Sequence, residues 1–208
     1  MRHTIWRASR GLAQLSGLIG LLAGLAPDRA LSQEPILAGT VLSGTLSFDG
    51  HATVGDFTGT TTAVTGEISG GSALASVRGW VEAPVRSLAT GKGKRDADLN
   101  KSMESDKYPV IRYELDSITP ESSVDGEAKV ILHGRFLIHG VTREADLPAR
   151  VQVGSSGARV WAETPLSLKD YHIGGLSKML GILKMHDEIQ VHVDVTFAMT
   201  PTTPGEGE

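Results

Sequence analysis

The chain has 208 residues, 40% of them apolar and 21% charged, a balance that fits one folded domain and excludes a disordered chain. With 24 acidic against 20 basic side chains the formal net charge is −4, so the basic footprint of a nucleic-acid-binding protein is absent. There is no Cys, which excludes a disulfide framework, a thiolate nucleophile and a lipid-modified N-terminal cysteine.

Arg2, Arg7 and Arg10 flank and precede an apolar stretch over residues 11–26 that is rich in Leu, Gly and Ala, and small residues follow it. That order describes a cleavable secretory peptide, cut after Ala26 or Ala30. The stretch is about 16 residues long, short of the roughly 20 that span a bilayer, and Gln14 and Ser16 interrupt it. The expected layout is a signal peptide over 1–30, one domain over 31–200 and a disordered tail of Pro, Thr, Gly and Glu over 201–208. Cutting at Ala30 removes four Arg and one Asp, leaving 16 basic and 23 acidic side chains and a net charge of −7. The expected product is periplasmic or secreted, keeps no membrane span, and must be stabilised by its core alone.

Beyond residue 40, apolar and polar residues alternate in eight long runs, the pattern of strands with one oily and one wet face. The expected strands are 41–48, with Leu42, Leu46 and Phe48 on one face; 57–68, rich in Thr; and 73–86, with Ala75, Val77, Gly79, Val81 and Val85 aligned. The alternation then stops. Over residues 90–107, Leu99 and Met103 stand four apart, which predicts a short helix with Asp96 and Asp98 near its positive N-terminal end. Strands resume at 108–118 (Ile111, Tyr113, Leu115 aligned), 127–139 (Val130, Leu132, Gly134, Phe136, Ile138), 143–153 (Ala145, Leu147, Ala149, Val151, Val153) and 158–169 (Val160, Ala162, Thr164, Leu166, Leu168). Leu176, Met179, Leu180 and Leu183 predict a second short helix, and a last strand aligns Ile189, Val191, Val193, Val195, Phe197 and Met199.

Eight long strands with few helices to cover them close on themselves. The expected fold is all-β: an elongated eight-stranded antiparallel barrel, lipocalin-like, with one or two short helices at the mouth. Its inward faces carry many small residues, among them Gly134, Ala145, Ala149 and Ala162. Two readings of these stay open: they leave a void for one slim ligand, or they make room for large side chains such as Phe136, Leu147 or Phe197 from across the barrel.

Three stretches resemble the YceI-like family. The first is Arg95-Asp96-Ala97-Asp98-Leu99 followed by Tyr108-Pro109-Val110-Ile111-Arg112-Tyr113; the second is Gly134-Arg135-Phe136-Leu137-Ile138-His139-Gly140-Val141-Thr142-Arg143; the third is Leu166-Ser167-Leu168-Lys169-Asp170-Tyr171-His172-Ile173. Their order and spacing are similar to the family's over about residues 40–199. The chain departs at Asp98, where many members have His, at 103–106, where a Phe-Phe pair is common, and at His172, where Gly is common. The resemblance implies an exported lipocalin-like barrel that binds an isoprenoid or similar long apolar chain in a carrier or storage role, without catalytic activity, cofactor or metal, and it leaves a homodimer open. The residues then expected to line the ligand are Val81, Tyr113, Leu115, Phe136, Ile138, Ala145, Leu147, Ala149, Ala162, Leu166, Leu176, Leu180, Val193 and Phe197, with Lys94 and Arg95 as weak candidates for a head group.

Other chemistry finds less support in the residues. His133, His139, His172, His186 and His192 include no His-x-His pair and have no Cys to assist them, so no metal site is expected. There is no Gly-x-Ser-x-Gly elbow, and Asp96 and Asp98 sit on the predicted lid without an apolar pocket to separate their acidities. Trp80 and Trp161 fall on the face opposite the small residues, which suits the outer wall, packing beneath a helix, or stacking on a sugar. The competing reading is a structural or carbohydrate-binding β protein with a filled core.

Overall fold

The computed structural model describes residues 36–53, 55–71, 73–154, 157–174, 177–178 and 183–202. They form strands β1 (Ile36–Ala52), β2 (Phe57–Thr61), β3 (Thr65–Gly70), β4 (Arg78–Pro84), β5 (Val110–Val124), β6 (Glu127–Ile138), β7 (Val141–Val153), β8 (Gly157–Ser167), β9 (Ser177–Lys178) and β10 (Leu183–Thr202), with one helix, α1 (Gly93–Ser102). Every neighbouring pair is antiparallel, and the sheet runs β1, β3, β4, β5, β6, β7, β8, β10 before β10 returns to β1 from Ile36↔Thr202 to Ala52↔Met185. Closing the sheet in this way removes free edges wherever neighbouring staves are paired. β2 and β3 both pair with β1, so they are two halves of one broken strand, and the barrel has eight staves.

The expected strand over 57–68 breaks because Thr61 turns its hydroxyl to its own backbone: the oxygen accepts from the Ala63 amide at 3.0 Å and donates to the Ser87 hydroxyl at 2.7 Å. A Thr side chain that bonds locally offers the backbone an alternative to the ladder. The expected strand over 73–86 is shorter, Arg78–Pro84, with 3₁₀ turns at Leu74–Ser76 and Val85–Ser87. Ser76 makes the first turn by donating to Ala73 O and accepting from the Gly71 amide. The second expected helix is replaced where the chain is described: Ser177 and Lys178 are extended and pair with Lys184 and Leu183. Leu176, Met179 and Leu180 lie outside the described residues.

Alternation decides which side chains face in. Phe48, Val130, Leu132, Phe136, Ile138, Leu147, Val151, Leu166, Ile189 and Val191 share one packed interior. Leu42 is the exception in β1. It was expected beside Leu46 and Phe48 but is 71% exposed, because the register slips between Val41 and Ser43. The extra residue of that bulge puts Val41 inside and Leu42 outside.

The outer wall is held by ion pairs across strands. Glu82, Arg112, Glu114, Arg135 and Asp116 form one chain with contacts of 2.6–3.3 Å over β4, β5 and β6. Trp80 and Trp161 stand on this outer face, each with a guanidinium over its ring: Arg112 at 4.2 Å and Arg159 at 5.2 Å.

His192 links the seam where the barrel closes. Its Nε2 lies 2.9 Å from Asp49 of β1 and its Nδ1 3.3 Å from Glu163 of β8, while Thr58 of β2 donates to the same Asp49 at 2.6 Å. The hydrogen bond to Asp49 raises the His192 pKa above 6.5, and the bonds from Thr58 and His192 lower that of Asp49 below 3.8. A raised His pKa stabilises the fold fully below 6.5, and the contribution disappears as pH rises through the higher folded value. The lowered Asp49 value acts at the other end, stabilising above 3.8 and failing as pH falls through the folded value. The melting temperature of wild type should therefore exceed that of His192→Asn near pH 6, and the gap should close as the pH is raised to about 9. The partners are partly exposed, so the gap corresponds to no more than about 1 kcal/mol. A gap that widens with pH would contradict this assignment.

Candidate functional site: a two-chambered interior

The barrel is hollow. A first chamber of about 280 Å³ lies under α1, and a second of about 250 Å³ lies toward the opposite end. Leu46, Ile111 and Phe136 border both, so these three side chains are the boundary between the two chambers. Each chamber approaches the lower size limit of a small-molecule pocket, roughly 300 Å³, and the linings are overwhelmingly apolar, as such sites usually are.

The first chamber is built by Phe48, Phe57, Leu88, Ile138, Leu166, Leu168, Ile173, Met185, Ile189 and Val191, with Leu99 of the helix and Met103, the residue that caps its C-terminus, as its cover. Phe48 and Phe57 meet edge to face at 6.1 Å. Gly59 is required beneath them, since a Cβ there would come 2.3 Å from the Phe48 ring. Apart from Ser47, the polar residues of this lining come from α1: Arg95, Asp98 and Ser102. The helix therefore offers the chamber a stripe at 95, 98, 99, 102 and 103, the spacing of one helical face. Its start is fixed by Asp96, whose carboxylate accepts from both the amide (2.8 Å) and the hydroxyl (2.6 Å) of Thr90. Those bonds hold the Asp96 pKa below the usual carboxylate value. Arg95 lies over the Phe57 ring at 4.2 Å.

The second chamber is lined by Ile68, Leu74, Val77, Val81, Tyr113, Leu115, Ile118, Leu132, Leu147, Val151, Val160, Ala162, Val193, Val195 and Phe197. Tyr113 crosses the barrel wall: its hydroxyl donates toward Leu132 O at 3.0 Å and Ala145 O at 3.2 Å, and its ring leans on Phe136 at 4.9 Å. Burial pushes its phenol well above the ordinary value. Gly134 is the residue that makes this possible, because a Cβ there would sit 2.9 Å from the Tyr113 oxygen and 2.0 Å from Glu114 O.

The expected lining residues are brought together unequally. Val81, Tyr113, Leu115, Leu147, Ala162, Val193 and Phe197 line the second chamber, Ile138 and Leu166 the first, and Phe136 both. Ala145 and Ala149 line neither. Ala145 carries the Tyr113 hydroxyl on its carbonyl, and Ala149 sits opposite Val130 inside the packed core. Two small residues that suggested void are thus covered by neighbours. Arg95 reaches the first chamber, whereas Lys94 is exposed and lines neither. Leu176 and Leu180 lie outside the described residues. Sequence reasoning aligned Leu46, Ile111 and Val191 correctly but did not select them, and it missed Phe57 and Met185. Phe57 carried one signal, an aromatic residue opening a Thr-rich strand directly after a Gly-Asp turn.

The mouth is organised by the His139-Gly140 turn. Both residues have positive φ, 52° and 74°. The Tyr108 ring packs against the turn so closely that a Cβ on Gly140 would lie 2.4 Å from it. His139 Nδ1 donates to Tyr171 O at 2.9 Å, which ties the 3₁₀ turn Leu168–Tyr171 to the β6–β7 corner. His133, on the outer face, bonds Thr119 at 2.8 Å and Asp146 at 2.7 Å. Among the described residues no three His, Cys, Asp or Glu side chains gather as a metal cluster, and no helix is long and apolar enough to cross a membrane.

A closed, eight-stranded antiparallel barrel with apolar chambers inside is the class that this fold and site define. A family model for the YceI-like domain matches residues 42–197, and the chain belongs to that family. Solved structures share the fold at low identity. A polyisoprenoid binding domain from Saccharophagus degradans, implicated in plant cell wall breakdown, is 16% identical with a TM-score of 0.65, covering 79% of this chain and 99% of its own. BcnA of Burkholderia cenocepacia is 15% identical with a TM-score of 0.63, covering 74% and 95%. The YceI protein of Campylobacter jejuni is 18% identical with a TM-score of 0.52, covering 67% and 82%. No curated protein sequence matches significantly.

Proposed function

We propose that this protein is an exported, non-enzymatic carrier or store that holds one long apolar chain of the isoprenoid kind along both chambers. The observation that carries the reading is the pair of apolar chambers that share a boundary at Leu46, Ile111 and Phe136. Two small chambers in line, opened to each other at that boundary, fit a slim chain better than a compact ligand. Each 100 Å² of apolar chain removed from water contributes about 2.5 kcal/mol before ordering costs, so affinity grows with the length threaded. The polar stripe of α1 at one end gives a head group its place beside Arg95, and the second chamber takes the tail. The Saccharophagus degradans domain, described as polyisoprenoid-binding, supports the same ligand class. The cationic, then apolar, N-terminal segment supports export to the periplasm or medium.

The reading is tested by organic extraction of the purified protein followed by mass spectrometry. The expected result is a long-chain lipid recovered with the protein and absent from a mock preparation. A clean extract, together with no uptake of a polyprenol supplied in detergent micelles, would leave the filled-core, surface-binding alternative standing instead.

A further inference from the structure

The wall of the first chamber has a gap in its hydrogen-bonded sheet, and one loop fills it. β2 pairs with β1 along one edge, but among the described residues its other edge meets only a single isolated pair, Thr60↔Ala89. There Thr60 N donates to Ala89 O at 2.9 Å and Ala89 N to Thr60 O at 3.0 Å. β4 ends at Pro84, paired with Val110 at the start of β5, so beyond that point the space between β2 and β5 is covered by residues 85–109. The two ends of this segment are joined by one bond, from Val85 N to Pro109 O at 2.8 Å. It is a long excursion that carries α1 and is closed at a narrow neck. Leu88, Leu99 and Met103 of the loop, and Phe57 of β2, all line the first chamber.

We infer that the 85–109 loop is a side gate through which an apolar chain passes into the first chamber, hinged at its neck and latched on β2. The inference rests on the reading that the chambers hold such a chain. The latch consists of the Thr60–Ala89 pair, the Thr61 hydroxyl donating to Ser87 at 2.7 Å, and Arg95 over the Phe57 ring at 4.2 Å. The hinge side is held separately: Tyr108 packs on His139 at 4.7 Å, and Glu104 stands 3.6 Å from His139 Nε2. Undoing the latch breaks two backbone hydrogen bonds, one hydroxyl contact and the Arg95–Phe57 stack, and uncovers Leu88 and Met103, but it leaves every ladder between the staves intact. Opening between β6 and β7 would break a full ladder, the twelve residue pairs from Glu127↔Gln152 to Ile138↔Val141. Elements that move to admit ligands come from the least stable parts of a fold.

The chain has no Cys, so a designed pair can be oxidised without competing thiols. Thr61→Cys with Ser87→Cys replaces two hydroxyls 2.7 Å apart by sulfurs, close to the roughly 2.05 Å of a disulfide. Uptake of a long-chain polyprenol from detergent micelles is followed in the oxidised and reduced forms of this one variant. The expected result is uptake slowed at least about tenfold by oxidation and restored by reductant. A second variant, Ala89→Pro, removes the amide that bonds Thr60; Leu88 before it is already extended (φ −68°, ψ 119°), as a residue preceding Pro must be. It should take up the polyprenol faster than wild type, and it decides the matter if the Cys pair does not fold. Equal rates in oxidised and reduced protein, or no acceleration by Ala89→Pro, overturn the gate while leaving the carrier reading intact. Wild type that never loads overturns the carrier reading and the gate with it.

Discussion

Ala162→Phe should yield a folded barrel that takes up no long-chain lipid. Ala162 is 7% exposed, lies on β8 opposite Val193 of β10, and lines the second chamber. A Phe ring there projects into a void of about 250 Å³ rather than into packed atoms. The usual overpacking cost of about 1–3 kcal/mol is therefore relieved, and the passage is filled. Its neighbour supplies the contrast. Ala149 pairs with Ala162 across β7 and β8 but borders no chamber, so Ala149→Phe has no void to enter. That variant should melt lower by the full overpacking cost, about 1–3 kcal/mol. Melting temperature and lipid recovered by extraction, measured on both variants, check the pair of outcomes. If Ala162→Phe retains its lipid, the ligand does not occupy the second chamber.

Phe136→Ala should cost about 3 kcal/mol of stability, the lower part of the range for deleting a buried aromatic ring. The ring is 7% exposed, leans on Tyr113 at 4.9 Å, and borders both chambers with Leu46 and Ile111. It already faces void on two sides, so fewer contacts are lost than in a filled core. For a domain of this size the loss lowers the melting temperature by roughly 6–12 °C. Denaturant unfolding should show a lower midpoint with an unchanged slope. A shift below about 2 °C would mean that Phe136 is not part of the packed interior.

The long strands were legible because a single chemical signal repeats. In β6 the buried residues Val130, Leu132, Phe136 and Ile138 alternate with Ile131, His133, Arg135 and Leu137, and in β10 Ile189, Val191, Val195 and Phe197 do the same. α1 was legible from Leu99 and Met103, four residues apart. What escaped depends on events that carry no period. One extra residue at Leu42 reversed the facing of a strand end. One hydroxyl at Thr61 ended β2. The expected helix around Leu180 met strand pairing on both sides, because Ser177 and Lys178 found partners in Lys184 and Leu183. The site was legible as a face but not as a volume. Alternation says that Ala145 points inward, and only the three-dimensional arrangement shows Tyr113 reaching from β5 across β6 to bond its carbonyl. Phe57 and Met185 joined the first chamber from strand ends, where alternation has too few residues to be read.

The central claim is that the interior is an apolar passage occupied along its length. It is tested most directly by a crystal structure of the protein after incubation with a long-chain polyprenol. The expected density is one continuous chain running from beneath Leu99 and Met103, past Leu46, Ile111 and Phe136, to the surroundings of Ala162 and Phe197. A chain bound only on the outer wall, with the interior closed by its own side chains, would contradict the account.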